Sequence, residues 1–249
     1  MADAVSEDAG LSFARAALPD GLSINRRGLP YDPWFSVLDV HRPDGSRIGA
    51  LANVAIHPVA LGPECLAVSA DWIAPFRAAL EADGGGTAVL LSGPLGDVNP
   101  GHVHRQYNDC RGDGFAEADE LGRGVAEAAA AALADAEPLD GETGVVERRV
   151  VHVPMTPGGL SPSPRPGEQL EVELVEWQLA GIPLVSLPGE AFQAFGRAVE
   201  ESRGGRALLA GLAPVWQGYL PMPFREGYEE SVSYGAPAVA AILEALISR

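Results

Sequence analysis

A histidine, a glutamate, two tyrosines and a glycine-rich loop carry the chemistry that this 249-residue chain offers. The histidine closes NVAIH (53–57), a strand-like run that Pro58 stops from pairing further, so its imidazole is set to stand at a sheet edge. The glutamate is Glu190 of LPGE (187–190), where an apolar run breaks at Pro188-Gly189 and a carboxylate opens what reads as a helix. Tyr219 in GYLP (218–221) and Tyr228 in GYEE (227–230) lie in turn-rich sequence. In GPLGDVNP (93–100), Gly93 and Gly96 let backbone approach a ligand, and Asp97 and Asn99 add polar contacts. Imidazole and carboxylate are groups that move protons or bind ligands. Each segment also has a plainer reading: a hydrogen-bonded core histidine, an acid favoured by the first turn of a helix, and tyrosines packed on a loop. Spacing alone does not make the segments converge.

The elements that must position these residues alternate between strand and helix. Strands are expected at 34–41 and 47–57, on either side of the turn dipeptide Asp44-Gly45. A helix over 71–82 ends at three glycines, and the apolar run 87–92 reads as a buried strand. The Ala-rich helix 115–136 is expected to lie close on a sheet. Strands follow at 145–153, 170–178, 182–187 and near 207–212, with helices at 190–203 and 236–248. The proline-rich stretch 154–167 reads as a loop. The expected fold is a single α/β domain over 1–249, a mixed β-sheet flanked by helices, with disorder expected in residues 1–20.

Composition narrows the function. Seventeen basic residues, all of them Arg, stand against 34 acidic ones, for a net charge of −17. A surface of that sign repels phosphate backbones and anionic membranes, so nucleic acid is an unexpected partner. The absence of lysine removes Schiff-base and Walker-type mechanisms. No apolar run is long enough to span a membrane, and the acidic start MADAVSEDAG does not read as a secretory signal. With two cysteines, Cys65 and Cys110, the chain reads as cytosolic.

Taken in order, NRR (25–27), NVAIHP (53–58), SADW (69–72), GPLGDVNP (93–100), LPGE (187–190) and GYLP…GYEE (218–230) resemble the neutral/alkaline non-lysosomal ceramidase family, at its catalytic domain and especially in its shorter bacterial relatives. The resemblance runs from about residue 21 to the C-terminus. It implies a zinc amidase of lipid metabolism, with His57, Glu190 and Tyr228 on the metal and Tyr234 as the fallback tyrosine. It further implies that Arg26, with Arg27 as the alternative, stabilises the oxyanion when metal-activated water attacks an acyl carbonyl. Asp97 is expected to orient the ligands, and Gly93, Asn99 and Tyr219 to contact substrate.

The chain departs from the family pattern twice. The family's first zinc histidine lies upstream of the Asn-Arg motif, and the 24 residues before Asn25 contain no histidine. The N-terminal part of the family's catalytic domain is therefore expected to be missing, with His102 and His104 as candidate substitutes. The serine the family uses for ceramide falls on Gly93, with Ser92 one residue earlier. This puts ceramide itself in doubt, and the expected substrate is an unidentified small-molecule or lipid-like amide or ester. The alternative is a non-catalytic or incomplete subunit that needs a separate N-terminal half. Homo-oligomerisation or assembly with that half is expected in either case.

Overall fold

The structure, a computed structural model, describes residues 8–63, 65–101, 113–144, 146–155, 160 and 167–248. In chain order the first half runs β1 (Gly10–Ala17), β2 (Ser23–Asn25), β3 (Trp34–His41), β4 (Arg47–Val54), α1 (Ile73–Gly84), β5 (Thr87–Ser92), β6 (Val98–Pro100) and α2 (Gly114–Ala134). The second half adds β7 (Glu137–Leu139), β8 (Val146–Pro154), β9 (Gln169–Leu179), β10 (Ile182–Ser186), β11 (Glu190–Ala191), α3 (Gln193–Glu201) and β12 (Leu208–Ala210). It closes with β13 (Tyr219–Leu220), α4 (Tyr228–Ser231) and α5 (Ala236–Ile247).

The α/β class and the mixed pairing hold, but the strands form two principal sheets rather than one. The first has the order β5-β4-β3-β1-β7 and the second β12-β10-β9-β8. Each contains one parallel pair, β4 with β5 and β10 with β12, and the remaining pairs are antiparallel. A parallel pair needs a crossover, which α1 and α3 supply.

Side-chain alternation stacks the two sheets between two helical layers. Phe35, Val37, Ala50, Ala52 and Val54 face Trp72, Phe76 and Leu121 on the α1–α2 side. Phe13, Leu38, Ile182 and Leu208 meet between the sheets. Val172, Leu174 and Val185 face Phe195, Val199 and Ile242 on the α3–α5 side. The sheets are also stapled where they meet: Asn53 Nδ2 donates to Leu91 O (3.0 Å) and Leu209 O (2.9 Å), and Leu209 N donates to Asn53 Oδ1 (2.8 Å). Gly211 N reaches Ser92 O at 2.8 Å.

Three expectations change. Residues 10–17, expected to be disordered, form β1 in the middle of a sheet, paired with β3 along all eight residues. Glu190 does not open a helix: it lies in β11, and α3 begins at Gln193. The small residues of α2 serve helix-on-helix packing as well as the sheet. A Cβ on Gly122 would collide with the Trp72 carbonyl oxygen and lie 2.7 Å from Phe76 N. Replacing Gly122 with Ala should gain about 1 kcal/mol in helix propensity. Overpacking, on the order of 1–3 kcal/mol, is expected to outweigh it, so urea unfolding should show Gly122→Ala less stable than the parent.

Candidate functional site

The parallel strands place the chemistry. His57 follows the carboxyl end of β4, the Gly93–Asp97 loop that of β5, Glu190 that of β10, and Tyr219 lies beyond that of β12. Carboxyl ends of parallel strands, where the chain turns away toward a crossover, are where α/β sheets present ligand-binding groups. Here the two sheets bring such ends together. His57 Nε2 lies 2.9 Å from Glu190 Oε2, and both side chains are largely buried.

Local contacts hold His57 by its ring and by its backbone. Its Nδ1 lies 2.9 Å from Val98 O, a pure acceptor, so Nδ1 carries the proton. The His57 amide donates to the same oxygen at 3.0 Å. Trp72 Nε1 donates to His57 O at 3.1 Å. Behind them Asp71, at φ 53°, accepts the amides of Ala60 (3.0 Å), Leu61 (2.8 Å) and Trp72 (2.8 Å), which pins the turn after Pro58.

Glu190 is equally constrained. It pairs in register with Tyr219 across the short parallel β11–β13 ladder, and the Tyr219 hydroxyl bonds its carboxylate. Trp216 Nε1 donates to Oε1 at 2.9 Å. Burial alone would raise the Glu190 carboxyl, but its contacts with His57, Tyr219 and Trp216 outweigh it and hold the group below the usual glutamate value. Burial and the adjacent carboxylate push the Tyr219 hydroxyl up, so it remains a donor to Glu190.

Beside this pair lies an ionic clamp. Arg26 Nη2 meets Glu229 Oε1 at 2.5 Å and donates to Gly96 O at 2.9 Å, while its guanidinium lies 5.8 Å over the Tyr219 ring. Its Nε is buried without a partner. Arg27 donates to Glu229 and, at 3.0 and 3.2 Å, to both oxygens of Glu230. Both glutamates are buried.

No protein-family model and no curated protein matches the chain. Solved structures do. The neutral ceramidase from Pseudomonas aeruginosa superposes with a TM-score of 0.74 at 16% identity, over 97% of this chain and 51% of that one. A ceramidase complexed with C2 gives the same TM-score and identity, over 97% and 53%. The chain has a neutral ceramidase fold. It spans about half the length of the ceramidase chains it matches.

On this ceramidase fold the expected site residues separate into two groups. His57, Glu190, Tyr219 and Arg26 come together. Tyr228, expected on the metal, is 64% exposed and meets the ring of Tyr219 edge-on at 6.0 Å. Tyr219, expected at the substrate, is the tyrosine on Glu190. Tyr234 packs against the α5 core. Asp97 is buried and orients backbone, accepting from Asn25 Nδ2 (2.5 Å) and Gln193 N (2.8 Å), with burial lifting its carboxyl above the usual value despite these donors. Gly93 offers no open surface to a substrate, because it is buried against Ala55 with its amide on Val54 O at 2.9 Å. Asn99 pairs with Ile24 in the β2–β6 ladder. His102, His104 and Cys110 lie outside the described residues.

Sequence reasoning missed Trp216, Glu229, Glu230, Asn25 and Asp71, whose polar partners are distant in the chain or are backbone amides. The clamp yields a test. Arg27→Met would leave Glu229 buried with Arg26 alone and Glu230 with the Arg225 amide but no cation, a loss on the order of 3–5 kcal/mol by denaturant unfolding at neutral pH. Burial alone would raise the Glu230 carboxyl, but Arg27 and the Arg225 amide hold it below the usual value. Its contribution is therefore present above the ordinary glutamate range, about pH 4.3, and lost as pH falls through the folded-state value. The gap between parent and variant should narrow on acidification.

Proposed function

We propose that this chain is a zinc-dependent hydrolase of an uncharged amide or ester, built on the ceramidase fold, with His57, Glu190 and Tyr219 as the metal-holding side chains. The observation that carries the reading is the His57–Glu190 pair. With Nδ1 protonated toward Val98 O, Nε2 presents its lone pair to a carboxylate oxygen 2.9 Å away unless a second ring proton or a cation lies between them. Imidazole nitrogen, carboxylate oxygen and phenol oxygen form a donor set that zinc accepts, with ligand distances of about 2.0–2.2 Å for nitrogen and oxygen. Donors 2.9 Å apart can share one ion at such distances.

When bound, zinc supplies water acidified toward a pKa of about 7 and polarises a carbonyl oxygen. The chain's own residues do the rest. Val98 O fixes the ring so that Nε2 faces the site, and the donors around Glu190 keep its carboxylate ionised and oriented. Arg26 Nε, buried and unpartnered, is the donor left for a substrate oxygen that gains charge. Val59, Leu212, Val215, Phe224 and Tyr228 are exposed on the segments that carry the site, which favours an apolar acyl group.

A second reading has its own observation. Among the described residues, no three His, Cys, Asp or Glu side chains come together as a metal site. Under it the chain is an incomplete subunit whose donor set is finished by a separate polypeptide carrying the family's N-terminal half. Elemental analysis of the purified chain separates the two. Near-stoichiometric zinc is expected, lost in His57→Ala and weakened far more by Tyr219→Phe than by Tyr228→Phe. A screen of neutral amides and esters would then follow. No zinc after incubation with the metal would overturn the first reading in favour of the second. Zinc retained in His57→Ala but lost in His102→Ala or His104→Ala would move the site elsewhere.

A further inference from the structure

Glu190 has three polar neighbours: Oε2 faces His57 Nε2 and Oε1 accepts from Trp216 Nε1, each at 2.9 Å, and the Tyr219 hydroxyl bonds the carboxylate as well. Trp216 is 44% exposed, so burial of its ring does not by itself explain its place. The backbone on either side is fastened to the residues immediately before Glu190. Leu212 N donates to Gly189 O (3.1 Å), Ala213 N to Leu187 O (3.1 Å) and Gln217 N to Pro188 O (3.0 Å). Segment 212–217 is thus zipped along the Leu187–Gly189 turn, and its indole N–H points back onto the carboxylate that this turn presents.

We propose that Trp216 is a positioning residue for the metal: by occupying Oε1 it leaves Glu190 a single oxygen, Oε2, to offer beside His57. The inference rests on the zinc-hydrolase reading and adds to it a residue and a coordination number. A carboxylate with both oxygens free is able to chelate one ion, as it does in calcium sites. A carboxylate held by a donor on one oxygen binds through the other. Catalytic zinc sites keep a position open for water or substrate, and a chelating Glu190 would fill it. Trp216 therefore keeps that position open through Glu190, without touching substrate.

Cobalt(II) in place of zinc tests this, because its visible absorption bands weaken as coordination rises from four to five. The full-length parent is expected to take up cobalt with intense bands. Trp216→Phe, which keeps a ring and removes the N–H, should show bands several-fold weaker and a zinc affinity lower by about 10–100-fold. Its metal-free melting temperature should stay with the parent's, which a general loosening of the loop would not allow. Unchanged bands and affinity in Trp216→Phe would overturn the inference alone. A parent that takes up neither metal would overturn the zinc reading and this inference together. Should Trp216→Phe melt early, the parent decides: the Trp216 indole N–H signal in NMR is expected to resist solvent exchange and to shift when zinc is added. A freely exchanging, unshifted signal would count against the proposal.

Discussion

A neutral imidazole has one proton to give, and His57 stands between two acceptors. Val98 O takes the proton on Nδ1, and the ionised Glu190 carboxylate faces Nε2, so the pair is unsatisfied until a positive charge enters between them. Much of the surrounding architecture holds this arrangement in place. Val98 sits at the head of β6, behind Asp97, whose carboxylate is tied to Asn25 and to Gln193 three residues past Glu190. Gly96 N donates to Ala191 O at 2.8 Å, so the glycine-rich loop and the glutamate strand share a backbone bond as well. Moving His57 relative to Glu190 would break several buried hydrogen bonds at once, and each lost partner leaves an unsatisfied group worth roughly 1–3 kcal/mol.

That rigidity depends on two sheets meeting in a fixed register. Hydrophobic packing between Phe13, Leu38, Ile182 and Leu208 is non-directional and would tolerate sliding. Asn53 would not, because its amide bonds a β5 carbonyl on one side and both backbone groups of Leu209 on the other. His57 is four positions past Asn53, just beyond the end of the same strand, so the residue that locks the sheets together also sets how far the imidazole reaches across. The polar staple and the histidine that faces Glu190 are parts of one short motif.

This explains what was legible in the sequence and what was not. Strand periodicity, the Asp44-Gly45 turn and the glycines after α1 are local signals, and the elements they predict lie within a few residues of the observed ones. His57 and Glu190 were legible because each follows an apolar strand run ended by a proline or a Pro-Gly break. The division into two sheets was not, since alternation reports that a strand has two faces and not which sheet it joins. That Tyr219 bonds Glu190 was not legible for a related reason. Interval counting places a tyrosine along the chain, whereas the β11–β13 register places it across the chain, directly opposite Glu190. The Arg26–Arg27 clamp spans about two hundred residues to Glu229 and Glu230, and no local pattern encodes such a pairing.

The clamp also bears on what the site accepts. Arg26 and Arg27 are matched by Glu229 and Glu230, so the guanidinium charges beside the site are already neutralised within the protein. Glu190 faces His57, and the further carboxylate, Asp97, is turned to Asn25 and the Gln193 amide. A substrate carboxylate or phosphate entering here would find its obvious arginine partners engaged and a glutamate beside it, in a chain whose net charge is −17. Within the His57–Glu190 pair a single added proton would balance the charge, and a divalent cation would leave one positive charge in excess. That excess is suited to a carbonyl oxygen that is neutral on arrival and gains charge during reaction, where stabilisation acts on the transition state more than on the bound substrate. An anionic substrate would draw on the same excess before any bond changed, and the gain would be spent on binding alone.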